Sequence, residues 1–440
     1  MPTFTQDRSP LKLSTLLGKD ALLAVSLEGR EGINELFSFT VDALAPSGSD
    51  IRLDRLVGTN AVVSIQVNGG PDRHIHGEIT SVEQFYENTW MLRHRIILRP
   101  GLAMLGLVRR SRIFHQMDLP DILREVAGES CSLAFELGRQ SLPTRNLVTQ
   151  YRETDLEFFL RLCSENGLAF YWRHGPEKPE LVLTSRTSIA QSGGLLPFEP
   201  TEGLVRSGPR LKTWSVRQNQ VQTQAEVVDS HFQKFGKLIT AAGRVGPKVQ
   251  AGQLNLDLAA VPGPSQEDSE GVARLFDNVN DLGEVGVQGF DRLDEAMELR
   301  AAWAAQGQSA GAVTGSGVGD FYNLQAGQSF GLEGAGAWDG AWICRKLSHR
   351  CIVQGAYWAG EDVRWDIDCH MESAPLALEQ LPWPPRKKPN VGGVVTAVVT
   401  GPEGQEVFVD RFGRVKVRYL WDREASGDGS DSFWIRVAQP

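Results

Sequence analysis

Cysteine is scarce and badly spaced for chemistry. The chain has five, Cys131, Cys163, Cys344, Cys351 and Cys369, an odd number with no pair in CxxC spacing. That excludes a disulfide framework and a cysteine-built zinc site, and it suits a reducing cytoplasm. Positive charge is also short: 45 Lys and Arg stand against 54 Asp and Glu, a net charge of −9. The longest basic tract is Arg386-Lys387-Lys388. Nucleic-acid binding draws on clustered positive charge and counterion release, so the balance argues against it. Long apolar runs are missing too. Residues 1–20 scatter Asp7, Arg8, Lys12 and Lys19 where a signal peptide needs an apolar core. The most apolar stretch, 391–400, is about half a membrane span and reads as a strand. If the protein leaves the cell, something other than a cleaved signal peptide moves it.

Catalytic motifs are likewise absent. Gly315-Ser316-Gly317 lacks GxSxG spacing, no glycine loop carries a Walker lysine, and no GxGxxG opens a helix after a strand. No two carboxylates are set in sequence as an acid and base pair. The chain thus reads as having no catalytic residue, no cofactor and no resident metal.

What is present is β structure. At 440 residues, with 41 % hydrophobic and 22 % charged, the chain is an ordinary globular sequence of two to four domains. Short β-branched runs at 22–27, 36–41, 61–67, 75–79 and 91–98, separated by turn clusters, predict a barrel over the first hundred residues. Two helices follow. Asp118 is placed as an N-cap with Pro120 in the first turn, and Thr154 with Glu157 spells a capping box. Leu156, Phe159, Leu160 and Cys163 then share one face, and Asn166-Gly167 stops the helix before a strand at 168–172. A third helix is expected over 291–306, with Leu293, Ala296, Met297, Trp303 and Ala304 on one side. Glycines at 311–319 and 331–340 read as permissive loops within a second set of strands. Four prolines in 381–389 make a semi-rigid linker.

Three polar constellations have a plain and a chemical reading. His74 and His76 share a strand face, as do Asp366, Asp368 and His370; either set could hold a divalent ion, and either is also the solvated face of a strand. Trp421-Asp422 leads into a polar loop, 423–431, that reads as ordinary solvated loop or as a ligand loop. In the C-terminal region, Asp410 to Arg414 predicts a hairpin whose turn uses Gly413. Val394, Val395, Val398, Phe408, Val415 and Val417 look like barrel core. The final strand would lie open at Pro440, so the chain reads as part of something longer.

Taken in order, several short motifs resemble one family. They are His76-Gly77, Arg112 to Phe114, Pro120 to Leu123, Gln150 to Asp155 (with Tyr151 and Arg152), Gly401 to Gly404, Asp410 to Val417 (with Gly413 and Arg414), and Trp434 to Pro440 (with Arg436). With Trp421 they make the chain similar to type VI secretion spike proteins of the valine-glycine repeat G class, themselves similar to hub and needle proteins of contractile phage tails. The resemblance implies a mainly β fold with inserted helices (α+β): two hub-like β-barrel domains followed by an incomplete OB-fold barrel. It implies a first barrel over 1–100, an insertion with two helices over 101–200, a second barrel region over 201–380, the linker at 381–390 and the start of the OB-fold over 391–440. It further implies a homotrimer on a hexameric secretion tube protein, with baseplate proteins, a PAAR-repeat tip protein and effectors as partners. Assembly in the bacterial cytoplasm and export by the contractile apparatus go with this. A phage tail hub is the near alternative. A cell-wall hydrolase fused to a hub would need a catalytic dyad that the sequence does not offer.

Overall fold

The computed structural model describes residues 4–438 apart from 68–69, 87–89, 139–141, 143, 201–207, 232–233, 235, 269–292, 356–362, 406 and 426–430. The first hundred residues alternate apolar and polar side chains with the period of two that a one-sided sheet demands. They give β1 (Leu11–Ser14), β2 (Leu23–Gly32), β3 (Ser38–Pro46), β4 (Asn60–Ile65), β5 (Arg73–Tyr86) and β6 (Met91–Arg99). These pair in the order β1-β4-β5-β6-β3-β2, and β1 packs back against β2. The sheet thus rolls until β1 lies beside β2 by packing, while both edges of β2 are hydrogen-bonded elsewhere, to β3 and to a later strand. Leu27, Phe39, Val41, Val63, Ile75, Ile96 and Leu98 fill its interior.

Residues 109–197 supply the inserted elements. The strands are β7 (Arg109–Met117), β8 (Ser132–Glu136), β9 (Arg145–Thr154), β10 (Ala169–His174), β11 (Pro179–Thr184) and β12 (Ser192–Pro197). Two helices stand between them, α1 (Leu119–Ala127) and α2 (Asp155–Glu165). Both caps form as their residues require. Asp118 Oδ1 accepts from the Asp121 amide at 2.8 Å, and Thr154 and Glu157 exchange hydrogen bonds of 3.1 and 2.8 Å. Helix α2 is buried more widely than a single apolar face: Phe158, Arg161, Leu162 and Ser164 are covered along with Phe159, Leu160 and Cys163, while Leu156 is half-buried. It is wedged between the β7–β9 ribbon and the linker, so packing on two sides overrides a simple stripe.

The second half runs through β13 (Leu211–Gln218), β14 (Gln224–Ser230), β15 (Leu238–Arg244), β16 (Lys248–Ala251), β17 (Leu254–Asp257) and β18 (Ser265–Asp268). Then come α3 (Leu293–Ser309), β19 (Val313–Gly319), β20 (Ser329–Glu333), β21 (Gly340–Gln354) and β22 (Arg364–Pro375). A second ring forms in the order β12-β20-β21-β22-β19-β13, closed by a bridge between Phe198 and Leu211. Strand β21 lies in this second ring and also pairs with β2, which makes one continuous sheet of the two halves. Its start pairs with β20, Ser329 opposite Ile343, and its middle pairs with β2, Leu27 opposite Cys351. Helix α3 lies on the small sheet β15-β14-β18, burying Leu293, Met297, Ala301, Ala304 and Ala305. Trp303 turns elsewhere, against Gly167, where any Cβ would meet its ring. Asp291 and Arg292, expected at the start of this helix, lie outside the described residues.

Two sequence expectations fail here. Gly315, Gly317 and Gly319 lie in strand β19, not in a flexible loop, and Gly311 alone of the four stays in the turn before it. A Cβ at Gly315 would sit 2.4 Å from the Trp214 ring and 2.7 Å from Ser373 Oγ, and one at Gly317 would sit 2.4 Å from Leu211 Cδ2. These glycines are a packing floor for large side chains on β13, a role that composition cannot distinguish from flexibility. The second failure is the C-terminal core. Strands β23 (Ala397–Val399), β24 (Val415–Tyr419) and β25 (Phe433–Ile435) make a three-stranded sheet in which Val417 and Phe433 are buried. Val394 and Val398 are exposed, because three short strands cannot cover both faces. The linker, in contrast, is anchored. Trp383 packs on Gly307 of α3 beneath the Arg300 guanidinium, and the Arg386 amide donates to Ser164 Oγ at 3.0 Å.

One charged cluster sits inside the fold. Glu31 Oε1 accepts from Arg73 Nη2 at 2.8 Å and from His349 Nε2 at 2.9 Å, tying β2 to β5 and β21, all three side chains buried. Burial alone would raise the Glu31 carboxyl, but the Arg73 charge and the His349 hydrogen bond outweigh it and hold the group at about 2. His174 is fully buried nearby and accepts from the His76 amide through Nδ1. Burial, then the Arg73 charge, drive its value down to about 3.

Two measurements follow from the fold. Gly315→Ala should cost about 1–3 kcal/mol by overpacking Trp214, read as a lower denaturant midpoint, while Gly311→Ala, with open space around it, should leave the midpoint unchanged. His174 stays neutral in the fold below its ordinary 6.5, whereas the unfolded chain takes up the proton. Stability should therefore fall as pH drops from about 6.5, by about 1.4 kcal/mol per pH unit. Glu31, held low, adds the same direction of loss only below about 4.5. His174→Gln should reduce the slope between pH 6.5 and 4.5 in denaturation series, leaving the part due to His76 and His94, which burial also holds low, and the Glu31 limb below it.

Candidate functional site

The motif residues gather at the contact between the β7–β9 ribbon and the C-terminal sheet. The ribbon is irregular where it matters: register shifts between Arg110 and Arg112, and Arg152 takes a positive φ of 48°. A non-glycine residue in that region is strained and needs fixing by its surroundings. Here Ser111 Oγ accepts from the Arg152 amide at 3.0 Å, and the Arg152 carbonyl accepts from Arg109 Nη1 at 2.6 Å. The kink directs Tyr151 toward the C-terminal sheet, where its ring meets Trp421 edge-on, with centroids 5.2 Å apart. Trp421 in turn stacks on Tyr419 at 5.0 Å, and Tyr419 contacts Phe433 at 5.3 Å.

Charge surrounds this aromatic file. Asp155, the first residue of α2, is buried and accepts from Gln150 Nε2 at 2.8 Å, with Arg110 Nε at 3.2 Å and Arg112 Nη2 at 3.6 Å. Arg112 also donates to Gln150 Oε1 at 2.9 Å. The two arginines then reach across to Glu424: Arg110 Nη1 at 3.0 Å and Arg112 Nη1 at 3.4 Å. Glu424 lies in the loop read as ordinary solvent-facing chain. Its carboxylate closes a network that starts 300 residues earlier, a contact no local spacing could reveal. Gln150 and Arg112 belong to the short family-like motifs, but nothing in the sequence sets them opposite Glu424.

The other motif residues fall in two places. Asp410, Gly413, Arg414 and Trp434 form a second cluster within the C-terminal sheet. Gly413 has φ 69°, and Asp410 accepts from the amides of Phe412 and Arg414 and from Arg414 Nε at 2.6 Å. Burial would raise the Asp410 carboxyl, yet these hydrogen bonds hold it below the usual carboxylate range. The Arg414 guanidinium lies 6.0 Å from the Trp434 ring, which packs on Phe408 at 5.0 Å. Arg436 is exposed. His76 and Gly77 belong to the first barrel, where Gly77 lets β5 approach Leu98 and Phe37 closely.

The candidate metal sets resolve into separate contacts. His74 faces Ser64 Oγ at 3.0 Å, His76 faces the Gly175 carbonyl at 2.9 Å, and His370 pairs with Asp368 at 2.8 Å. One arrangement does have the order of a catalytic triad: Cys369 Sγ lies 3.6 Å from His349 Nδ1, whose Nε2 bonds Glu31. All three side chains are buried, and burial pushes the thiol far above its ordinary range, so it carries no thiolate. This is core packing.

Solved structures share the overall fold of this chain. The E. coli c3393 protein, a component of the type VI secretion system described as structurally similar to T4 bacteriophage tail proteins gp27 and gp5, superposes with a TM-score of 0.61 at 15 % identity. That match covers 96 % of this chain and 92 % of that one. The 43 kDa tail protein of prophage MuSo2 from Shewanella oneidensis matches at TM-score 0.52 and 12 % identity over 84 % of this chain and 99 % of its own. The chain belongs to the phage tail baseplate hub (GPD) family, whose model matches residues 30–354. Among curated relatives, the type VI secretion spike protein VgrG5 of Pseudomonas aeruginosa is 28 % identical over 428 residues, 94 % of this chain and 50 % of its own. VgrG3 of Vibrio cholerae is 26 % identical over 441 residues, 96 % of this chain and 40 % of its own. The chain spans about half the length of the curated relatives it matches.

The junction should be separable from the hub by mutation. Trp421→Ala removes the aromatic anchor, and cleavage in the 381–390 linker by a dilute protease should speed up about tenfold, equivalent to about 1.4 kcal/mol of lost docking. Asp155→Asn instead leaves Arg112 short of charge in a buried site and should lower the whole hub's stability by about 2–4 kcal/mol, read by chemical denaturation.

Proposed function

We propose that this chain is the hub portion of a type VI secretion spike, and that three copies close into a ring capping the secretion tube. The observation that carries the reading is that one chain rolls two sets of six strands into two barrel-like halves. Three copies supply six barrels, a pseudo-sixfold face matched to a hexameric tube protein, and a closed ring buries its interfaces without open ends. The spike relatives and the tail-hub folds support the same reading. The docked linker and the Glu424 network hold the C-terminal sheet on the hub, so that a needle continuing from it would be carried rigidly. A PAAR-repeat tip protein, effectors and baseplate proteins are the further partners on this reading. The driving force would come from contraction elsewhere, and the chain's own part is mechanical rather than enzymatic. Assembly would take place in the bacterial cytoplasm, with export by the apparatus itself. A contractile phage tail hub is the same physics in another machine, and the family match suits it equally.

Light scattering across a concentration range tests the ring. A mass near three times 48.4 kDa is expected, together with co-sedimentation on assembled tube protein. A monomer at every concentration, with no tube binding, would rule out ring closure by this portion alone.

A further inference from the structure

Where the two barrels meet, the outer face of their common sheet forms a polar groove of ≈ 730 Å³. It is lined from β2, β3, β6, β21 and β22, and it uses none of the junction residues. Strand register orders its side chains into cross-strand rows. Ser38 stands opposite Arg30, Arg30 opposite Ser348, and Ser348 opposite His370. Leu98 opposite Phe39 places Arg99 beside Ser38. One row therefore reads Arg99, Ser38, Arg30, Ser348, His370 and contains no carboxylate. The adjoining row has Thr40, Glu28, Arg350 and Asp368.

The arginines are what make the row unusual. Asp42 is occupied by Arg95 at 2.9 Å, and Asp368 by His370 at 2.8 Å. Among the described residues, Arg30, Arg99 and Arg350 make no ion pair and no side-chain hydrogen bond, although all three are exposed in the groove. Three uncommitted guanidiniums gather here on a chain whose net charge is −9. Serine and threonine hydroxyls between them can donate or accept. Guanidinium forks are geometrically suited to carboxylates.

We propose that this groove is a docking site for an extended acidic polypeptide segment. Adjacent strands lie about 4.8 Å apart, so Arg99 and Arg30 are rooted about 10 Å apart. An extended chain presents alternate side chains about 6.8 Å apart, within the reach of two long flexible arginines. Carboxylates at alternate positions would then engage Arg99 and Arg30, while Glu28 in the next row accepts from an amide of the same segment. A nucleic acid fits less well, since no Phe, Tyr or Trp lines the groove as a platform for bases.

The test is fluorescence anisotropy with the full chain and a labelled (Glu-Ser)6 peptide at low salt, against (Lys-Ser)6 and a twelve-residue oligothymidylate. The Glu-Ser peptide should bind. Arg30→Gln with Arg99→Gln should weaken it by about tenfold per arginine, and Arg244→Gln, exposed on the separate β14–β15 sheet, should bind like the parent. If the double variant loses its cooperative melt, Arg99→Gln alone makes the same comparison. Absent binding, or binding indifferent to these arginines, overturns the proposal. Arginine-dependent binding of the oligothymidylate at equal or greater strength overturns it in favour of nucleic acid.

Discussion

The Glu31 carboxylate is the point on which the two-barrel fold turns. It sits on β2, the last strand of the first ring, and is held by Arg73 from β5 and His349 from the shared strand β21. In sheet order β5 is three strands away from β2, so their 2.8 Å contact exists only because the sheet is rolled. A buried ion pair seldom adds much net stability over a well-packed apolar substitute. Losing one partner is another matter, since an uncompensated charge is left in the core. The cluster therefore selects geometry. Alternative registers of β2 on β21 would strand either Glu31 or His349, and a one-residue slip would also turn every side chain to the wrong face.

The second ring is fixed differently, by size. Trp214, Trp342 and Phe330 form an aromatic group with centroids 5.0 and 6.5 Å from Trp214, and glycines on β19 clear the space for it. One barrel thus has charge at its seam and the other has bulk against glycine. Between them runs a polar outer face, and beyond them the ribbon that receives the C-terminal sheet.

Much of the local structure was legible because it depends on neighbours in sequence. The capping box at Thr154, the cap at Asp118, the turn at Gly413 and the strands of the first hundred residues all follow from spacing a few residues long. The family likeness was legible for the same reason, since its motifs are short. What escaped are contacts at long range. Glycines 315 and 317 look identical to loop glycines until Trp214 is placed across from them. Glu424 looks like a solvated loop acid until Arg110 and Arg112 arrive from three hundred residues earlier. The Val394 and Val398 expectation failed for a related reason: an apolar residue is core only if something covers it.

Strand β21 carries a mechanical meaning. It pairs with both halves with no turn or linker between, and its hydrogen bonds to β2 and to β20 lie along the same backbone. A load passed from barrel to barrel meets those bonds in shear, many together, instead of unzipping them one after another. Parting the two halves therefore requires breaking a sheet, not bending a linker. The strand joins the two halves as one uninterrupted backbone where a hinge would otherwise stand.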